Sequence, residues 1–162
     1  MPAPLTLQTP PDFQFWPTAV SHGWCELPPY RYDEETRTLE RLHELPDGSV
    51  VRLVLRAADF TPGSLPVQII GKTDKFTSLQ KDDISRALRR ALEIDRDLSD
   101  FYKLVRKHKR YKWIEKAGVG RMLASPTVWE DLVKTLMTTN TTWNMTKQMV
   151  ARVVTLGDSH PG

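Results

Sequence analysis

The residues best suited to contact another molecule lie in a short polar run near the end of the chain. Asn140 stands between two pairs of threonines, Thr138-Thr139 and Thr141-Thr142, directly after a segment with helical periodicity. Threonine favours ending a helix, because β-branching and the hydroxyl compete with the backbone hydrogen bonds. We therefore expect Asn140 at or near a helix end. Its amide, which both donates and accepts hydrogen bonds, can contact a ligand there or cap the helix, and the two roles are compatible.

The preceding segment predicts a helix over about 126–138. Ser125 is suited to cap its first turn, and Pro126 suits the first helical position, where no backbone donor is needed. Apolar residues recur at helical spacing and predict one buried stripe, consisting of Val128, Leu132, Val133 and Leu136.

A second candidate is a basic segment of 19 residues. Residues 1–102 hold 12 basic and 16 acidic side chains, whereas residues 103–121 hold 8 basic side chains against Glu115 alone, a net charge of +7. Tyr111 and Trp113 lie among these cations, so the segment has the composition of a surface that grips phosphates and stacks on sugar or base. A solvated helix face is the alternative interpretation.

Several of these residues together resemble a known family. The pattern is similar to the opening of the catalytic domain in helix-hairpin-helix DNA glycosylases, particularly the bacterial 3-methyladenine and 8-oxoguanine branches. It is carried by Gly120-Arg121-Met122-Leu123, Ser125-Pro126, Glu130 and Thr138-Thr139-Asn140. The resemblance extends more weakly to Ser21-His22-Gly23-Trp24, Pro46-Asp47-Gly48 and Asp97-Leu98-Ser99-Asp100-Phe101-Tyr102.

The resemblance implies that the target base leaves the duplex and that Asn140 is inserted beside the orphaned partner base. The 8-oxoguanine branch continues with more asparagines and has an arginine five positions on, where this chain has Thr141, Thr142 and Met145. An alkylated base is therefore the favoured substrate over an oxidised one.

The catalytic aspartate and the DNA-gripping hairpin of that family have no counterpart here. Gly118-Val119-Gly120 is similar to the hairpin turn, but a second helix must follow such a turn directly, and Ser125-Pro126 interrupts five residues later. We expect a loop there. The chain is thus similar to the first half of a glycosylase, and we expect no catalysis from these 162 residues.

Composition limits the remaining classes. The sequence begins without a basic region followed by an apolar run, contains no apolar run long enough to cross a membrane, and has one cysteine, Cys25. His22 and Cys25 have ligand-like spacing, but nothing supplies a second pair for a closed zinc site, and an iron–sulfur cluster needs four cysteines. We expect no metal, cofactor or membrane partner, and a cytoplasmic, nucleoid-associated bacterial protein.

The elements that position these residues fall into two halves. Alternation predicts strands over about 36–45, 49–56 and 65–71, with a hairpin turn at Pro46-Asp47-Gly48 and a reversal at Pro62-Gly63. The first twelve residues are expected to be irregular. A short helix is expected after them, near Trp16. Helices are predicted over about 79–94, 98–107, 126–138 and 143–156.

The predicted fold class is α+β. An N-terminal antiparallel sheet domain with a flanking helix over 1–95, TBP-like by the resemblance, precedes a partial helical glycosylase-like domain over 96–162. The expected partner is double-stranded DNA with a damaged base. The expected contact residues are Lys107, Lys109, Arg110, Lys112, Arg121, Asn140 and Thr141.

Two other hypotheses stay open. The first is a non-catalytic DNA- or RNA-binding module that uses residues 103–121. The second is a scaffold that associates with itself or with another protein through an incompletely covered helical face at 145–156, on which Met145, Met149, Val153 and Leu156 recur.

Overall fold

The computed structural model describes residues 5–157, which form a mixed α+β fold around one five-stranded antiparallel sheet. Its spatial order is β1-β5-β4-β3-β2. The strands are β1 (Leu5–Gln8), β2 (Tyr30–Asp33), β3 (Thr38–Glu44), β4 (Val50–Arg56) and β5 (Ser64–Ile70).

Six α-helices accompany the sheet. They are α1 (Phe15–Ala19), α2 (Ser78–Ala91), α3 (Ser99–Arg106), α4 (Lys112–Lys116), α5 (Val128–Thr138) and α6 (Trp143–Val154). Thr77 and Gln80 form a reciprocal capping box that starts α2. The boundary predicted at residues 95/96 falls between α2 and α3. Within residues 5–157, no helix has both the length and the apolarity that crossing a bilayer requires.

The predicted hairpin between β3 and β4 is confirmed. β3 and β4 pair in antiparallel register, and the Leu45 amide donates to Ser49 at 2.7 Å across the turn, where Gly48 has φ 78°. Alternate residues of the strands point into the core beneath α2, whose own Ile84 and Leu88 are buried. The sheet's contribution to that core includes Leu39, Val51, Leu53, Leu55, Leu65 and Val67.

Both edge strands differ from the sequence prediction. Leu5–Gln8, predicted to be irregular, pairs with β5 and buries Leu7, while Tyr30–Asp33, for which no strand was predicted, pairs with β3. Each has four residues, which is too short for an alternating pattern to be recognised in the sequence. Each is extended because it pairs with a neighbouring strand of the sheet.

Helix α5 exists where it was predicted, but its start and its buried face differ. Thr127, not Ser125, is the N-cap, since the Thr127 hydroxyl accepts from the Glu130 amide. Ser125 is buried instead, and its amide donates to Asp131 at 2.7 Å. Three residues of the predicted stripe face solvent instead, since Val128, Leu132 and Leu136 are 68, 59 and 69% exposed, while Val133 is half-buried. Trp129, which was not predicted to belong to the stripe, lies beside them and is 73% exposed.

The face of α5 that meets the sheet is charged. Arg41, on the core face of β3, donates to both oxygens of Glu130 at 3.1 and 2.8 Å, and the Lys134 ammonium donates to Oε1 of the same carboxylate at 2.7 Å. Arg41 and Lys134 are 7 and 3% exposed. Both cations lie over the ring of Tyr30, 4.9 and 5.1 Å from its centroid. This buried ion cluster joins the sheet to α5.

Burial and charge act in opposite directions on Glu130. Burial raises the pKa of its carboxyl, but the hydrogen bonds and charge of Arg41, with those of Lys134, outweigh it and lower that pKa from 4.5 to about 2. Burial lowers the pKa of the Lys134 ammonium, although Glu130 opposes that shift. The cluster is therefore held together with Glu130 ionised.

Three further contacts fix the helical hairpin of α5 and α6 on the sheet domain. Asp131 accepts from the Trp24 indole at 3.2 Å and from Arg90 of α2 at 3.4 Å. On α6, Lys147 donates to Glu26 at 2.9 Å. Asp131, in the first turn of α5, and Lys147, in the second turn of α6, thus both contact the segment that leads into β2.

We predict that acid removes the contribution of this cluster. Because the folded-state pKa of Glu130 lies below its unfolded value, its stabilisation is complete above about pH 4.5 and is lost as the pH falls toward 2. A shift from 4.5 to about 2 corresponds to about 3 kcal/mol of unfolding free energy. Glu130→Gln should cost about 3–5 kcal/mol at pH 7, because it leaves two buried cations without a carboxylate.

Urea unfolding at pH 3 to 7 measures both effects. Glu35→Gln, at an exposed carboxylate, is the matched control and should change the free energy of unfolding by less than about 0.5 kcal/mol. Equal stabilities for Glu130→Gln and Glu35→Gln at pH 7 would contradict the structural role of the cluster.

Candidate nucleic-acid interface

The basic segment forms an exposed corner made of two short helices. Helix α3 ends at Arg106, a single 3₁₀ turn spans Lys109–Tyr111, and α4 follows at Lys112–Lys116. The chain reverses here because α3 and α4 pack on each other, while the Tyr102 hydroxyl donates to the Val119 carbonyl at 3.2 Å. All the cations from Lys107 to Lys112 are exposed.

The cations of this corner fall into two groups. Arg106 donates to Glu115 and Lys103 to Asp100, so these two are at least partly neutralised. Within residues 5–157, no salt bridge involves the second group, which comprises Lys107, Lys109, Arg110, Lys112 and Lys116. Cations that form no ion pair with a carboxylate attract anions, because their field is not cancelled locally.

Two exposed aromatic side chains lie among these cations. Trp113 is 58% exposed, and Tyr111 is also exposed with the Arg110 guanidinium 5.9 Å from its ring centroid. An indole left in solvent next to several ammonium groups presents a flat apolar face at a positively charged surface. That combination suits a nucleotide, whose phosphate pairs with the cations and whose base stacks on the ring.

Arg121 does not belong to this surface, which corrects the prediction made for it. It is 2% exposed, and its guanidinium donates to the Glu93 carbonyl at 3.1 Å, the Arg96 carbonyl at 2.9 Å and the Asp12 carboxylate at 2.9 Å. Every nitrogen of the fork thus has a partner inside the protein. Arg121 fastens the loop before α5 to the end of α2, and no phosphate reaches it in this arrangement.

Asn140 lies in the tight turn between α5 and α6. Helix α5 ends at Thr138, Thr139 is its C-cap, and Asn140 follows with φ 53°, in the left-handed region that asparagine tolerates better than most residues. This is the position that often ends a helix, so the capping interpretation fits the backbone. The side chain is exposed, and its amide makes no hydrogen bond to residues 5–157.

The surrounding threonines hold the turn instead. Thr139 donates its hydroxyl to the Leu136 carbonyl at 2.7 Å, and Thr142 caps α6 by accepting from the Met145 amide. The buried Thr146 hydroxyl donates to the Met137 carbonyl at 2.9 Å, which ties α6 to the end of α5. Thr141 is half-buried next to Asn140. The turn is therefore braced while the Asn140 amide is left for solvent or a ligand.

The two groups of predicted contact residues belong to different helix pairs. Lys107, Lys109, Arg110 and Lys112 lie on the α3–α4 corner, and Asn140 with Thr141 lies in the α5–α6 turn.

The segment after α4 packs closely against residues 12–14. A Cβ added to Gly118, which has φ 61°, would come within 2.3 Å of the Gln14 side chain. As expected, the Gly118-Val119-Gly120 segment is a loop, and the next helix begins only at Val128.

Other features of the surface offer less to a ligand. A groove of about 700 Å³ next to α3 is lined by Arg89, Arg106 and Arg121, each of them paired with a carboxylate. Among residues 5–157, no three His, Cys, Asp or Glu side chains converge as metal ligands would. His22 stacks on Trp24 with centroids 5.1 Å apart, and Cys25 is buried.

The comparisons with known proteins found no matching family model, curated protein or solved structure. The functional argument therefore rests on the two exposed features of this chain: the cationic corner and the braced Asn140 turn.

We predict that the left-handed backbone and the amide of Asn140 can be separated by substitution. Asn140→Ala should cost about 1 kcal/mol of unfolding free energy, because alanine is strained at φ 53°. Asn140→Gly, which removes the amide but accepts that φ, should leave stability within about 0.5 kcal/mol of the parent chain. Urea unfolding measures both, and a loss in Asn140→Gly as large as in Asn140→Ala would mean that the amide itself stabilises the fold.

Proposed function

We propose that this chain is the DNA-binding N-terminal part of a DNA N-glycosylase of base excision repair, and that it engages double-stranded DNA at a damaged base. The single observation that carries the proposal is the Asn140 turn, in which an exposed amide without a hydrogen-bond partner among residues 5–157 is presented by a braced, left-handed backbone. A helical hairpin that presents such an amide is suited to enter the gap left by an extruded nucleotide.

The cationic corner supplies the phosphate contacts, and so the affinity, that the Asn140 amide alone cannot provide. Base contacts distinguish one DNA site from another, but most of the affinity comes from phosphates neutralised by lysine and arginine. Lys107, Lys109, Arg110 and Lys112 are exposed and unpaired within residues 5–157, and Tyr111 and Trp113 lie among them. We assign phosphate contacts to this corner and the damage-dependent contact to Asn140 and Thr141.

The architecture agrees with the class of protein. A five-stranded antiparallel sheet with a flanking helix precedes a set of short helices, the order that the glycosylase resemblance implies for a TBP-like sheet domain and the first helices of a catalytic domain. Thr141, Thr142 and Met145 stand where the 8-oxoguanine branch has asparagines and an arginine, so an alkylated base is the proposed substrate class. No residue here corresponds to the catalytic aspartate of the family, and the proposed contribution of these 162 residues is binding.

A non-catalytic DNA- or RNA-binding module is the second candidate, because the cationic corner alone can grip either nucleic acid. The exposed Trp113 ring can stack on an unpaired base of a single strand, so the corner is suited to single-stranded nucleic acid as well as to a duplex. The two candidates differ in Asn140: a general binder does not need its amide, whereas the repair proposal does.

We predict that the cationic corner sets the salt dependence of duplex binding. Removing three phosphate contacts in Lys109→Ala/Arg110→Ala/Lys112→Ala should reduce the slope of log affinity against log salt concentration by about 2 to 3. Fluorescence anisotropy with a labelled duplex across a salt series measures that slope. The control Lys72→Ala/Lys75→Ala/Arg86→Ala removes the same charge from exposed positions elsewhere, and an equal change in both variants would mean that only net charge matters.

We predict that Asn140 recognises the gap in a damaged duplex. Asn140→Gly should weaken binding to a duplex containing an abasic site about tenfold and binding to the intact duplex less than about twofold, since one lost charge-neutral polar contact is worth about 1–1.5 kcal/mol. Asn144→Ala, which removes an exposed amide in the first turn of α6, should change neither. Equal weakening on both duplexes would reject the repair proposal and leave the general binding module.

A further inference from the structure

Helix α5 is amphipathic in the opposite sense from an ordinary surface helix. Its charged side, with Glu130 and Lys134, is buried against the sheet, and its apolar side faces solvent. The exposed stripe consists of Val128, Trp129, Leu132 and Leu136. At 100° per residue these four positions span one continuous face about 12 Å long.

The exposed hydrocarbon is larger than a solitary protein needs. Taking ordinary side-chain areas, the exposed fractions of the four residues leave roughly 500 Å² of apolar surface on one helix, at the upper end of the largest patches seen on monomers. A stable interface buries about 800 Å² per partner, of which somewhat more than half is non-polar. The stripe thus matches the apolar share of one side of a standard interface.

The chemistry of the stripe favours a second copy of the same chain as its partner. A twofold axis places the central residue against its own copy, so a charge at that point would repel itself. The central residue is Leu132, and Thr135 is the polar residue beside it on the same side of the helix. In an antiparallel arrangement Val128 meets the partner's Leu136, and the opposed helix dipoles attract.

We infer that α5 is a homodimerisation helix, whose stripe packs antiparallel against the same stripe of a second copy around Leu132. The inference is independent of the proposed DNA contacts, because it uses neither the cationic corner nor Asn140. It also differs from the 145–156 face predicted for association, since it assigns the contact to α5. On the 145–156 face, Met145 and Val153 are 48 and 41% exposed and Met149 is half-buried, while Leu156, which is 85% exposed, lies beyond the end of α6.

The first test is the oligomeric state of the purified chain. Sedimentation velocity over a concentration series should show a discrete monomer–dimer equilibrium, and Leu132→Glu should weaken the dimer at least about 100-fold by placing two carboxylates together at the axis. Leu79→Glu is the matched control, because Leu79 is 69% exposed on α2, and it should dimerise like the parent chain.

The second test keeps the proposal falsifiable if a single charge perturbs α5. Val128→Lys/Leu136→Glu places opposite charges across an antiparallel dimer twice, whereas Val128→Lys/Leu136→Lys places like charges there. The first variant should dimerise at least about tenfold more tightly than the second, and low salt should widen the difference. Circular dichroism of both variants checks that their helix content equals that of the parent chain.

Three outcomes overturn the inference. They are a parent chain that stays monomeric up to about 100 μM, a Leu79→Glu variant that loses the dimer as Leu132→Glu does, and equal dimer affinities for the two double variants. A monomeric parent chain would mean that the stripe is covered by another occupant, either a different polypeptide or the remaining helices that the proposed function assigns to this domain.

Discussion

The ion cluster between β3 and α5 is the constraint on which the arrangement of the helical half depends. Arg41 offers a two-pronged donor from the core face of the sheet, and only one rotation of α5 brings both oxygens of Glu130 to it while Lys134 reaches the same carboxylate. Desolvating three charges is costly unless each is paired, so a small rotation of the helix is strongly disfavoured. That rotation sends the apolar stripe outward and directs the turn after Thr138 to the surface.

The sequence predicted elements well wherever the deciding interactions are local. β3, β4 and β5 follow from alternation and turn residues, and α2 follows from its period, because all of these act within a few residues. The same period located α5 and its stripe but not what covers the stripe. Hydrophobic periodicity identifies an apolar face but not what packs against it, so the stripe was predicted to be buried. In the structure the opposite side of α5 is buried, where Glu130 pairs with Arg41.

In the candidate site too, residues whose environment is local were predicted correctly and a residue with distant partners was not. Charge counting located the cationic corner, because Lys107, Lys109, Arg110 and Lys112 are surface residues whose environment is their own segment. It failed for Arg121, whose partners Asp12, Glu93 and Arg96 lie 25 to 109 residues away in sequence. A signal was present: Gly118-Val119-Gly120 separates Arg121 from the run, and Met122-Leu123 follows it, so its neighbours are those of a core arginine. Asn140 was placed correctly because threonines end a helix through local competition.

Helix α5 uses different sides for folding and for association, because its charged side packs on the sheet and its apolar side faces solvent. Glu130 and Lys134 lie across the helix from Leu132, so a change in the stripe leaves the cluster's hydrogen bonds intact, and a change in the cluster leaves the stripe's composition intact. Sites without shared partners contribute nearly additively to free energy. The fold can therefore tolerate an uncovered apolar face, because α5 is held to the sheet by ion pairs and hydrogen bonds. The Asn140 turn is positioned by those same bonds, whether or not the stripe is occupied.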